Sequence, residues 1–283
     1  MTYDITFSSS AIAAFLTAGI LATLLPIAAI VFFKLKNKDV KLRYVFVGAV
    51  TFPVFALILE QISHYFMLPI VQQSTAAYVI YGTLAAGIFE ETGRFVAYKI
   101  FCKKESDPRA SIMYGLGHGG IEAIILVGLT MLSYAITAVT INAMGMESVM
   151  STVPAEQVDL VMAQTKALSE FTMSNALISV VERLIAIALH VSLSVVVFAS
   201  IKLKGKLWLF PAAIALHAIF DIPAALYQRS VITNMALMEL LLFVEAVIIA
   251  FVAVKIYKQL KAELSAELPE ASNAEETEKI TAE

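Results

Sequence analysis

The chain has 283 residues, 59% of them hydrophobic and 15% charged, with a net charge of −3, and its mean hydropathy is +0.82. Soluble globular domains lie well below such values, so a soluble all-α protein is set aside, and nothing in the charge suggests a nucleic-acid partner. A single cysteine, Cys102, rules out an internal disulfide and a cysteine-based metal site.

The opening "MTYDITFSSS" has no Lys or Arg ahead of the first apolar run, which predicts an uncleaved anchor rather than a signal peptide. Apolar runs then predict helices over 10–33, 43–66, 75–99 and 110–134, the last running on past its edge, and over 175–201, 207–227 and 232–256. Each run approaches or exceeds the roughly 20 residues that carry a helix across about 30 Å of hydrocarbon. The fold class is therefore all-α: a polytopic membrane protein of about seven transmembrane helices with a polar site inside the bundle.

Between the fourth and fifth spans lies "GMESVMSTVPAEQVDLVMAQTKALSEF", which mixes polar and apolar residues at helical spacing. It predicts either a short helix on the membrane surface or a soluble cap. Residues 1–256 form the membrane domain, and 257–283, ending "KAELSAELPEASNAEETEKITAE", are expected to be an acidic, disordered cytoplasmic tail. The loops "KLKNKDVKLR", "KIFCKKESDPR" and "KLKGK" hold most of the basic residues, whereas the opposite loops contribute Lys166 and Arg229. That bias places the N-terminus outside and the C-terminus in the cytoplasm; the membrane is expected to be a bacterial cytoplasmic membrane.

Ionisable groups at membrane depth are costly and mark function by default. Glu90, Glu91 and Arg94 lie in "GIFEETGRFVAYK", His118 and Glu122 in "MYGLGHGGIEAIIL", Glu182, Arg183 and His190 in "VVERLIAIALHVSLS", and His217 and Asp221 in "IALHAIFDIPA". Counted from the basic ends of their spans, Glu90, His118, His190 and His217 fall about 13, 12, 16 and 15 Å deep. Four helices thus bring one carboxylate and three imidazoles to a common level. His217 with Asp221, His118 with Glu122 and Glu90 with Arg94 are four apart and share a face. Arg94 is equally well read as a packing ion pair with Glu90 or Glu91, Glu182 and Arg183 read as a buried pair, and Glu60, His64, Glu239 and Glu245 read as structural. Gly115, Gly117, Gly119 and Gly120 around His118 allow close backbone approach, by a neighbouring helix or a bound chain.

A carboxylate beside imidazoles in a cavity walled from lipid suits amide hydrolysis: the carboxylate activates water and His donates to the oxyanion. Zinc is the rival use, with His118, His190 and His217 as ligands. Haem held by two histidines and proton-coupled transport by a Glu/His chain, or a membrane scaffold, are further uses of the same residues.

"EETGR", "GLGHGGIEA", "ERLIAIALH" and "LHAIFD", in that order over residues 85–225, resemble the YhfC family of intramembrane proteases, within the clan of CAAX prenyl endopeptidases, bacteriocin-immunity proteases and PrsW-type proteases. The resemblance implies an intramembrane endopeptidase with membrane lipid and a membrane protein or peptide substrate as partners. It implies Glu90 as the water-activating base with Glu91 and Arg94 completing the motif, His190 as the middle histidine, and His217 with Asp221 as the last motif. The glutamates and arginine are spaced E-E-x-x-R where the prenyl endopeptidases have E-E-x-x-x-R, which turns Arg94 by about 100°. Asp221 stands where those enzymes often have Asn; an ionised Asp accepts only, so it orients His217. His118 and Glu122 are supporting residues. The clan includes metalloproteases and metal-free glutamate-dependent hydrolases; the metal-free reading is preferred, with zinc retained.

Overall fold

The computed structural model describes the backbone of residues 5–281 and the side chains of residues 5–266. Every regular element among the described residues is helical. In chain order these are α1 (Ser9–Lys36), α2 (Arg43–Val71), α3 (Thr75–Phe101) and α4 (Arg109–Met144). The short α5 (Met146–Met150) and α6 (Val158–Ser169) follow, then α7 (Met173–Lys202), α8 (Leu209–Gln228) and α9 (Met235–Thr281). Six of them, α1, α2, α4, α7, α8 and α9 as far as Ala266, are long and apolar enough to cross a membrane. The seventh long helix, α3, has 27 residues, a rise of about 40 Å, but is more polar. It is the helix that carries Glu90, Glu91 and Arg94.

Local sequence sets the ends. Ser74 caps α3 by accepting the Ala77 N–H at 3.3 Å, and Asn234 caps α9 by accepting the Leu237 N–H at 3.1 Å. These bonds satisfy donors that a helix start leaves without partners. Gly145, at φ 82°, stops α4 with a backbone conformation that other residues rarely adopt. Within α2 and α4 lie π-helical stretches, Pro53–Leu59 and Ile124–Leu129.

The chain divides into two compact units, Met1–Ala28 with Ile121–Leu184, and Ala29–Gly120 with Ile185–Glu283. In the first, Phe7, Phe15, Ala138, Ile141, Met146 and Met150 form a core. The long connection expected on the membrane surface or as a cap is helical in part, as α5 and α6. Its Val158, Val161, Met162 and Leu168 lean on that core, so its apolar stripe has a protein partner. Phe171 stacks on Phe15 with ring centroids 4.8 Å apart. Arg183 of the same unit bridges Glu122 at 2.7 Å and Glu182 at 2.8 Å.

In the second unit, Tyr44, Tyr98, Tyr114, Leu189, Leu193 and Phe198 make up the interior. Glycines let its helices touch at the backbone. A Cβ at Gly117 would lie 2.1 Å from the Val45 carbonyl oxygen, one at Gly48 2.2 Å from that of Tyr114, and one at Gly115 2.5 Å from the Cα of Val191. The expected close approach is thus made by neighbouring helices. Phe46, Tyr65, Phe66, Ile70, Phe251 and other large apolar residues point outward, as lipid-facing surfaces do. The membrane domain was expected to end at residue 256, yet α9 runs on and buries Leu260 and Leu264 in this core. Of the disordered tail expected over 257–283, residues 257–266 are helical, and the side chains beyond 266 lie outside the described residues.

Candidate active site

α3 delivers Glu90, Glu91 and Arg94 into the second unit, with 7%, 0% and 0% of their surface exposed. Consecutive helical residues point about 100° apart, and the two glutamates accordingly serve different partners. The Glu90 carboxylate accepts a hydrogen bond from His118 Nε2 at 2.9 Å. Glu91 accepts from His217 Nδ1 at 2.8 Å and forms a buried ion pair with Arg94. Arg94 also donates to His190 Nδ1 at 3.1 Å. The ring centroids of His118 and His190 lie 4.9 Å apart, and those of His190 and His217 5.6 Å. The common depth expected of Glu90 and the three histidines is therefore a real convergence, drawn from α3, α4, α7 and α8.

Backbone contact fixes this geometry. A Cβ at Gly119 would sit 3.1 Å from the Cβ of His190, and one at Gly87 2.7 Å from the carbonyl oxygen of Ile214, three residues before His217. His118 is clasped by Phe52, edge-on with centroids 5.4 Å apart, and by Tyr114 at 6.0 Å. Imidazoles so packed have little rotamer freedom to lose when they act.

Among the described residues, one group has the donor set of a metal centre. Glu90, His118 and His190 each offer a ligand atom, and these atoms lie within 4.8 Å of one another. Zinc held at about 2.05 Å by tetrahedral ligands spaces them about 3.3 Å apart. The Glu90 Oε2 to His118 Nε2 separation is 2.9 Å and that to His190 Nδ1 is 3.9 Å, so the trio straddles that value and fits the ion. His217, expected as the third imidazole ligand, instead has Nδ1 on Glu91 and Nε2 3.6 Å from Asp221. A carboxylate takes its place in the trio because Glu91, the next residue along α3, captures His217.

Asp221 sits one turn beyond His217, as its spacing predicts. Arg94 pairs with Glu91, three residues away, rather than with Glu90. Glu122, Glu182 and Arg183 form their own cluster in the first unit. The pair expected of Glu182 and Arg183 forms but is half-buried rather than buried, and it gains Glu122 as a third member.

One residue near the site was read from sequence as structural only. Glu60 is 6% exposed and lies within electrostatic reach of Glu90, His217 and Asp221. It pairs with His64 at 3.3 Å, and His64 Nδ1 is 2.9 Å from the Tyr81 hydroxyl. The sequence signal available was Pro53, seven residues earlier, which opens the π-helical stretch ending at Leu59. Such stretches gather at functional sites.

The family described as YhfC intramembrane metalloprotease matches residues 21–242. The membrane protein YhfC of Bacillus subtilis (strain 168) is 35% identical over 254 residues, which cover 88% of this chain and 97% of that protein. No solved structure matches.

Proposed function

Because the chain belongs to the YhfC family of intramembrane metalloproteases and is an integral membrane endopeptidase, we propose that it hydrolyses a peptide bond of a membrane-associated polypeptide at the Glu90/His118/His190 centre. The convergence of one carboxylate oxygen and two imidazole nitrogens within 4.8 Å carries this proposal. A zinc ion held by Glu90, His118 and His190 would supply a Lewis acid and a water acidified to near neutral pH.

The chain's own groups do the rest. Glu91 accepts the Nδ1 proton of His217, which fixes the tautomer and turns Nε2 toward Asp221. From there His217 takes a proton from the attacking water and returns it to the leaving amine as the C–N bond breaks. Arg94 neutralises Glu91. In the cell we place the Lys- and Arg-rich loops in the cytoplasm of a bacterium, with the N-terminus outside.

A second reading is favoured by the Arg94 to His190 bond at 3.1 Å. A guanidinium only donates, so it uses the Nδ1 lone pair that a metal would need. In that case Glu90, paired to His118, is the free base that activates water without metal. Haem ligation, proton-coupled transport and a scaffold role, the other uses open to the sequence, give way to the family's endopeptidase description.

The test is metal analysis of the purified protein beside proteolysis before and after chelation. Bound zinc, loss of cleavage on its removal and recovery on its return support the metal centre. Full cleavage by metal-free protein overturns it and leaves the glutamate mechanism.

A further inference from the structure

The site is sealed at one end of its helices and open at the other. One turn from Arg94 toward the basic loops lies Tyr98, and one turn from His118 in the same direction lies Tyr114; both are buried, at 1% and 0%. Their rings pack 4.6 Å apart, and Phe198, two turns from His190 on that side, packs 5.1 Å from Tyr98. Beyond them Tyr44 and Leu260, 1% and 0% exposed, fill the same core. Nothing larger than a side-chain rotation passes such a close-packed layer.

In the opposite direction lies a cavity of about 290 Å³ lined by residues that include His64, Tyr78, Gly82, Thr83, Asp221 and Gln228. The level of each on its helix is past the site: Asp221 is one turn beyond His217, His64 one turn beyond Glu60, and Gly82 two turns before Glu90. At its rim the Tyr78 hydroxyl donates to Gln228 at 3.0 Å. The Arg229 guanidinium lies 5.0 Å from the centre of the Tyr78 ring and donates to the Gln72 carbonyl at 3.0 Å. The cavity therefore sets polar groups among Leu68, Ala224 and Ala225 on its walls, is braced at its mouth, and ends on a carboxylate 3.6 Å from His217.

We propose that this cavity is the entrance of the protease: water and an unfolded segment of a substrate polypeptide reach the centre from the membrane face opposite the Lys- and Arg-rich loops. The proposal rests on the endopeptidase assignment for its substrate, and on the cavity alone for its direction. The volume lies at the lower end of the ~300–1,000 Å³ typical of ligand pockets, enough for a side chain and its peptide group but not for a folded domain. The substrate class is thus a peptide bond presented on the non-basic side, in an exported or juxtamembrane segment.

Gly82 provides the test. A Cβ there meets no atom within 4 Å, so a side chain is added without displacing a helix. In a Cys102→Ser background, Gly82→Cys and, at the basic end, Lys104→Cys are treated in oriented membrane vesicles with a charged, membrane-impermeant thiol reagent. The expected result is labelling of the two cysteines from opposite sides. An unlabelled Gly82→Cys, or labelling of both from the same side, overturns the entrance whether or not the protein cleaves anything. Separately, Gly82→Leu is expected to lower kcat/KM at least about tenfold by narrowing the path, whereas enlarging the outward-facing Ile80, as Ile80→Phe, leaves it unchanged. If Gly82→Cys labels as expected and neither substitution changes cleavage, the cavity admits water but not substrate, and the substrate part of the proposal falls.

Discussion

Among the described residues, two clusters of ionisable side chains, one half-buried and one fully buried, are built differently. In the first unit Arg183 holds Glu122 and Glu182; every charge faces an opposite one, and no imidazole takes part in those ion pairs. In the second, two glutamates share one arginine and three histidines, and each side chain has a distinct neighbour. Charge at membrane depth is common to both. The difference lies in titratable groups that can change partners: an ion pair makes buried charge tolerable, whereas imidazoles beside carboxylates can move a proton or bind a metal.

The contrast breaks most sharply at the centre itself. Glu90→Gln is expected to reduce cleavage by about 10²–10⁴-fold, with a thermal melt close to that of the parent. His118→Ala should match that loss and also lower the zinc content measured in the purified protein. Equal cleavage by Glu90→Gln and the parent would remove Glu90 from the chemistry under both the metal and the metal-free reading.

Glu91→Gln strands Arg94 without a counter-charge at 0% exposure, and losing one partner of a buried pair costs about 3–5 kcal/mol. It should therefore lower both stability and activity. Arg183→Met, by contrast, should cost stability alone, since it leaves Glu122 and Glu182 facing each other's charge. Unfolding in detergent, set beside the cleavage rate per folded molecule, separates the two cases. Gly117→Ala comes next: its Cβ would meet the Val45 carbonyl at 2.1 Å, so α2 and α4 must part. Cleavage should fall although no polar contact is removed.

The smallest effect is expected at the basic end. Burial pushes the Glu105 carboxyl up, but the Tyr44 hydroxyl and the Lys41 ammonium, 3.0 Å away, outweigh it and hold the group below its ordinary value of 4.5. A carboxyl depressed in the fold stabilises above its unfolded value and loses that contribution as pH falls through the folded one. Melting temperature should thus drop below about pH 4.5, and Glu105→Gln should flatten that drop while leaving cleavage at neutral pH unaltered.

Much of this was legible in the residues. Apolar runs mark the long helices because lipid demands continuous apolar length, and a rise of 1.5 Å per residue converts position into depth. That is why Glu90, His118, His190 and His217 could be set at one level without knowing the fold. Depth says nothing about which helix stands beside which. The pairing of His217 with Glu91, and of Glu90 with His118, depends on packing order and on the rotation of each helix. The ion pair of Arg94 follows the same logic, since residues three and four apart are both within reach and the tertiary neighbours choose. Glu60 escaped because, like His64, it lies near the end of its apolar run with no partner on its own helix at the depth of Glu90, so only the packing of α2 against its neighbours brings it within reach of the site.

The π-helical stretch Pro53–Leu59 has a consequence for inheritance of the site. An extra residue in one turn acts as a shim: it rotates everything downstream, including Glu60 and His64, by about 100° relative to an uninterrupted α-helix. Closing the wide turn of Pro53–Leu59 into regular α-helix without removing a residue would leave composition unchanged, and would leave α2 long enough to span. It would nonetheless turn Glu60 from the carboxylates and imidazoles of α3 and α8 toward the lipid. In this protein the register of a helix is therefore as much a functional property as the identity of the residues upon it.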